Sequence, residues 1–106
     1  MPTRYVPTSR PRSPYLLIRH KVGNYAKWKR AFDAQTAARE VNGSNGGCIF
    51  RNASNRREVV VILEWKELEQ ARAFAESTDL REMLALAGVS DMPDVYVLEP
   101  SERTTH

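Results

Sequence analysis

His20 is the one histidine in the stretch whose patterning marks it as folded. Imidazole titrates near neutrality, so this side chain could take a proton from a phenol or enol and return it. The plainer alternative is a histidine bonded to a neighbouring backbone group or carboxylate. Trp65 could stack on a planar substrate, although a large aromatic at the end of a strand serves equally well as core. Tyr25, Trp28, Phe32, Phe50 and Phe74 add aromatic surface, and those at helical spacing also make ordinary core. A zinc or iron site needs clustered histidines, cysteines or carboxylates, and one internal histidine beside a lone Cys48 supplies too few, so no metal is expected. Cys48 can form no intramolecular disulfide and reads as a small buried apolar residue. The glycines from Gly43 to Gly47 follow a predicted helix instead of opening one, which excludes a phosphate-cradling loop.

These residues are carried by a regular succession of elements. Tyr15 to Val22 has strand character, with Leu16, Ile18 and His20 on one face and Tyr15, Leu17 and Arg19 on the other. Asn24 can cap a helix in which Tyr25, Trp28, Ala31 and Phe32 recur on one stripe. That helix is predicted to end at Asn42-Gly43. A second strand surrounds Cys48 and Phe50, and Asn52 to Arg56 has the composition of a hairpin turn. The strongest strand runs from Arg57 to Trp65, with Val59, Val61, Leu63 and Trp65 on one face and Val60, Ile62 and Glu64 on the other. A helical stripe of Leu68, Ala71, Phe74 and Ala75 follows. Ser77 or Asp79 can cap a further helical piece containing Leu80, Met83, Leu84 and Ala87, with Gly88 at its end. Pro93 precedes a last short strand, DVYVLEP.

The order is βαββαβ, an α+β arrangement of the ferredoxin-like type. Right-handed crossovers place both helical segments on one face of a four-stranded antiparallel sheet in the order 4-1-3-2. The first and third strands are apolar on both faces, so the uncovered side of the sheet needs a partner. A second copy packed sheet against sheet supplies it, and a homodimer is expected. Arg19 and Glu64 lie on that outer side near opposite strand ends, which suits solvated or intersubunit roles more than a direct bond.

The chain has 106 residues, enough for one domain. Its net charge of +3 equals the contribution of Arg4, Arg10 and Arg12, which lie in a proline-interrupted segment without acidic residues. Residues 1–14 are therefore expected to form a flexible basic tail, 15–100 the domain and 101–106 a polar tail. The balanced domain lacks the basic footprint of a nucleic-acid binder, and Val59 to Leu63 offers none of the exposed aromatics by which sheets of this order hold RNA. No apolar run approaches the roughly 18 residues of a membrane span, and no secretory signal opens the chain. A cytoplasmic location is expected.

The helix start HKVGNYAKWKRAFD, the pair Phe50-Arg51, the strand ending EVVVILEW, the helix ARAFAES and the segment LALAGV followed by Pro93 carry a resemblance. Together they resemble the dimeric α/β-barrel superfamily, in particular antibiotic biosynthesis monooxygenase-like proteins, over roughly residues 15 to 100. The resemblance implies a small apolar pocket between helices and sheet, with His20 at its rim and Tyr25, Trp28, Phe32, Phe50, Trp65 and Phe74 as candidate substrate-binding residues. It implies a cofactor-independent monooxygenase-like activity on a small aromatic or polyketide-like compound, in which the deprotonated substrate itself reduces oxygen and His20 is the base. A polyketide cyclase or isomerase, or a noncatalytic dimeric ligand-binding protein, would use the same pocket. Haem degradation in such proteins relies on a histidine of the second long helix, and Glu67 to Gly88 contains none. His20 and Trp65 should stand about five residues of strand apart, on the order of 16 Å, too far to share one small ligand.

Overall fold

The alternation of apolar residues from Tyr15 onward becomes a strand because two neighbours can bury it. In the computed structural model, which describes residues 13–86 and 92–105, β1 (Tyr15–Lys21) lies between β3 (Asn55–Trp65) and β4 (Asp94–Leu98), and β2 (Ser44–Asn52) flanks β3. All pairings are antiparallel, and the sheet order is β2-β3-β1-β4. Ile18 stands opposite Val61 on one side and Val95 on the other. His20 opposes Val59, while Trp65 opposes Ser44 six positions further along β3.

Helical segments cover one face of this sheet. The Asn24 side chain accepts from the Lys27 N–H at 3.0 Å and starts α1 (Tyr25–Ala34). The helix expected to continue to Asn42 is interrupted at Gln35. There the backbone N–H turns to the Phe32 carbonyl and the side chain donates to the Asp79 carbonyl at 2.9 Å. Helicity resumes as α2 (Thr36–Val41) and stops at Gly43, whose φ of 108° lies in the left-handed region. Glu67 and Gln70 form a capping box on α3 (Leu68–Ala75). Ser77 then accepts from the Leu80 N–H at 3.1 Å as α4 (Thr78–Leu86) begins. The proposed end of this helix, Ala87 and Gly88, lies outside the described residues, as do residues 1–12.

Leu16, Ile18, Val59, Val61, Leu63 and Trp65 from the sheet meet Trp28, Phe32, Phe74, Leu80 and Met83 from the helices in one buried cluster. Each large side chain removed from water contributes roughly 1.5–3 kcal/mol, so this layer accounts for most of the fold's cohesion. Gly47 has a packing reason: a Cβ there would overlap the Ile62 carbonyl oxygen, so only glycine lets β2 approach β3 this closely. Ser13 and Pro14, assigned from sequence to the basic tail, are buried instead. The Pro14 carbonyl accepts from the Trp65 N–H at 2.9 Å and extends the β1–β3 pairing. Among the described residues, no helix is long and apolar enough to cross a membrane.

Candidate functional site

The stripe of α1 stacks its aromatics into a ladder. Trp28 lies between Tyr25 and Phe32, with ring centroids 5.6 and 5.2 Å away, and the His20 ring sits 5.5 Å from Trp28 on the sheet side. Arg39 extends the ladder from α2, its guanidinium carbon 3.8 Å above the centre of the Phe32 ring. Its guanidinium donates to two neutral oxygens, the Phe32 carbonyl of α1 at 2.8 Å and the Thr36 hydroxyl of α2 at 3.2 Å.

His20 is only 2% exposed, and neither ring nitrogen has a hydrogen-bond partner among the described residues. Loss of hydration pushes its pKa down from 6.5 to about 4, away from the near-neutral value expected of it. Moving a proton from a phenol, with an ordinary pKa of about 10, to such a group is uphill by roughly 8 kcal/mol. His20 in this state is neutral and weakly basic at pH 7.

A cleft of about 690 Å³ opens between α1–α2 and the β2 side of the sheet. Phe32, Ile49 and Leu63 give it an apolar wall, Arg39 and Lys66 bring positive charge, and Gly46 and Gly47 expose backbone. Glu40 also lines it, as the opposing charge. Of the candidate catalytic and substrate-binding residues read from sequence, only Phe32 lines this cleft. His20, Tyr25 and Trp28 stand behind it in the ladder. Trp65 and Phe74 pair at 5.2 Å toward the other end of the core, and Phe74 borders a separate groove of about 500 Å³ beside α3. Phe50 points to the opposite side of the sheet, because its partner is Val60 and not Val59 or Val61, and is 52% exposed. Cys48, read as buried, is half-buried at the cleft's edge.

Arg39 was not singled out from sequence, yet it is 5% exposed. The available signal was positional: it falls two turns beyond Phe32, so a permanent cation continues the apolar stripe. Burial pulls its pKa below the ordinary value, with Asp33 acting in the opposite direction from a distance. No acidic side chain among the described residues forms an ion pair with it. Arg19, by contrast, pairs with Glu58 and Asp94 at 2.7 Å each on the outer sheet face. Glu64, expected to be solvated or at a seam between subunits, is fully buried within the single chain.

No family model matches the sequence, and no curated protein matches it. Solved structures do match the fold. A Bordetella bronchiseptica protein named a putative antibiotic biosynthesis monooxygenase superposes with a TM-score of 0.71 at 14% identity, over 86% of this chain and 99% of that one. A Caulobacter crescentus protein of the same name gives 0.67 at 13% identity, over 87% and 92%. One from Nitrosomonas europaea gives 0.66 at 11%, over 88% and 94%. The chain has the ferredoxin-like α+β fold of these antibiotic biosynthesis monooxygenase structures. At these identities the likeness establishes the fold.

Proposed function

We propose that the chain is a cofactor-independent, monooxygenase-like enzyme that takes a small phenolic or polyketide-like compound into the cleft beside Phe32 and works as a homodimer. The observation that carries this reading is the cleft, where Phe32, Ile49 and Leu63 share the lining with Arg39 and Lys66, within a fold shared with proteins of that name. An electron-rich aromatic ring fits against Phe32, Ile49 and Leu63, and its acidic oxygen faces Arg39 and Lys66. The ionised substrate then reduces dioxygen: one oxygen atom becomes a ring carbonyl in place of a C–H bond, and the other leaves as water with the two hydrogens the substrate loses. The protein's part is to hold the ring, favour its ionised form and limit access of water.

A cyclase or isomerase would use the same ionised state without consuming oxygen, and a ligand-binding protein would hold the compound unchanged. Oxygen uptake and product analysis with a panel of phenolic and quinone-forming compounds separate the three. Uptake catalysed by the wild type, with one oxygen atom from labelled dioxygen in the product, is the expected result. Compounds that bind but are recovered unchanged, or rearranged without uptake, overturn the oxygenase reading.

A further inference from the structure

We infer that Arg39 is the group that ionises the ligand, so that the cleft binds a phenol or enol as its anion and needs no proton-accepting side chain of its own. This rests on the reading of the cleft as the ligand site and assigns the acid–base step within it.

Arg39 is a buried, permanent cation on the cleft wall, held by the Phe32 ring, the Phe32 carbonyl and the Thr36 hydroxyl. Keeping a charge out of water costs several kcal/mol unless an opposite charge compensates it, and its hydrogen bonds here are to neutral oxygens. A guanidinium carries five N–H donors in a rigid plane, and here Nη1 and Nη2 each donate one hydrogen bond, to the Phe32 carbonyl and the Thr36 hydroxyl. Arg39 shares the cleft lining with the apolar side chains of Phe32, Ile49 and Leu63, and a planar donor set beside apolar surface suits an aromatic oxyanion. Lys66 adds positive charge at the cleft, while Glu40 on the lining and Asp33 at a distance oppose it. The competing base, His20, lies outside the cleft lining, behind Trp28.

Formation of the anion in this scheme breaks the ligand O–H bond, sends the proton to solvent and leaves the electron pair on the oxygen beside Arg39. An opposite charge within about 4–6 Å lowers the pKa of an acid by 1–3. The ligand should therefore ionise more readily when bound than when free.

4-Nitrophenol tests this directly, because it ionises near neutrality and its anion is yellow. Titrated with pH at saturating wild-type protein, the bound probe should show a midpoint at least about one pH unit below that of the free probe. Quenching of Trp28, which stacks on the cleft residue Phe32, reports occupancy. Arg39→Met should return the midpoint to its free value, and Arg39→Lys should retain most of the shift. 4-Nitroanisole, which cannot ionise, should bind the wild type at least about tenfold more weakly than 4-nitrophenolate. If Arg39→Met does not fold, the wild-type midpoint, the anisole comparison and Arg39→Lys still decide. A bound midpoint equal to or above the free one overturns the inference, as does a folded Arg39→Met protein that keeps the lowered midpoint. A lowered midpoint without oxygen uptake from any phenol leaves this inference standing and removes the oxygenase reading. Uptake with an unshifted midpoint does the reverse, and failure of 4-nitrophenol to bind overturns the cleft reading together with this inference.

Discussion

His20 carries a consequence at the residue scale that is independent of any substrate. Its folded pKa of about 4 lies below the ordinary 6.5 because burial disfavours the imidazolium. Above pH 6.5 the group is neutral in both folded and unfolded chains. As pH falls through 6.5 the unfolded chain takes up a proton that the folded chain refuses, so stability declines and is lost progressively down to about pH 4. The full loss is on the order of 3 kcal/mol. Glu58, held low first by the Asn52 amide and then by Arg19, acts only below its ordinary 4.5, so the range from 6.5 to 4.5 isolates His20. Urea unfolding across that range should show the decline in the wild type and a nearly flat line in His20→Leu. Equal slopes in the two proteins would mean that His20 titrates normally in the fold. The aromatic ladder on which His20 rests was legible in the spacing of Tyr25, Trp28 and Phe32. The pKa was not, since alternation reveals which face a histidine shares but not how completely that face is sealed.

At the element scale, the order and pairing of strands followed from two-fold alternation and turn composition, and the caps at Asn24 and Ser77 from residue type. The interruption of the first helix did not. Gln35 is a good helix former, and it leaves the helix because its side chain reaches the Asp79 carbonyl across the molecule. That tertiary bond redirects α2 and thereby carries Arg39 to the cleft, which is why the most informative residue of the site was missed from sequence. Gly43 ends α2 in a left-handed conformation, and a Cβ at this position would strike the side chain of Gln70. Gln70 accepts from the Glu67 N–H at 3.0 Å to cap α3. Gly43→Ala therefore combines backbone strain of about 1–2 kcal/mol with disturbance of a cap worth about 1 kcal/mol. A loss of about 2 kcal/mol or more in denaturant unfolding is expected. Gly46→Ala shares the positive φ but has open space around its Cβ, so it should show the backbone part alone.

For the whole molecule, the decisive feature is the sheet face that the helices leave open. The register places Cys48, Ile62, Leu17 and Tyr96 in one row across all four strands, flanked on one side by the row of Phe50 and Val60 and on the other by that of Tyr15 and Leu98. Phe50, Tyr96 and Leu98 are 52%, 55% and 40% exposed in the single chain. Scattered apolar residues on a surface need no explanation, but a contiguous block spanning a sheet marks an interaction surface. Arg19 on this face is already paired with Glu58 and Asp94, so a partner could cover these three charges without stranding them. Light scattering at micromolar concentration should accordingly give about twice the 12.1 kDa chain mass. The two faces of β3 make the test specific. Ile62→Asp places a carboxylate in the middle of the open row, where a single chain leaves it partly in water; it should yield a folded monomer with the wild-type circular dichroism spectrum. Val61→Asp, one residue away, drives the same carboxylate into the fully buried layer under the helices, where nothing compensates it. That variant should fail to fold at any concentration. A wild type that stays monomeric to high concentration, or an Ile62→Asp protein that remains a dimer, would remove this face as the seam.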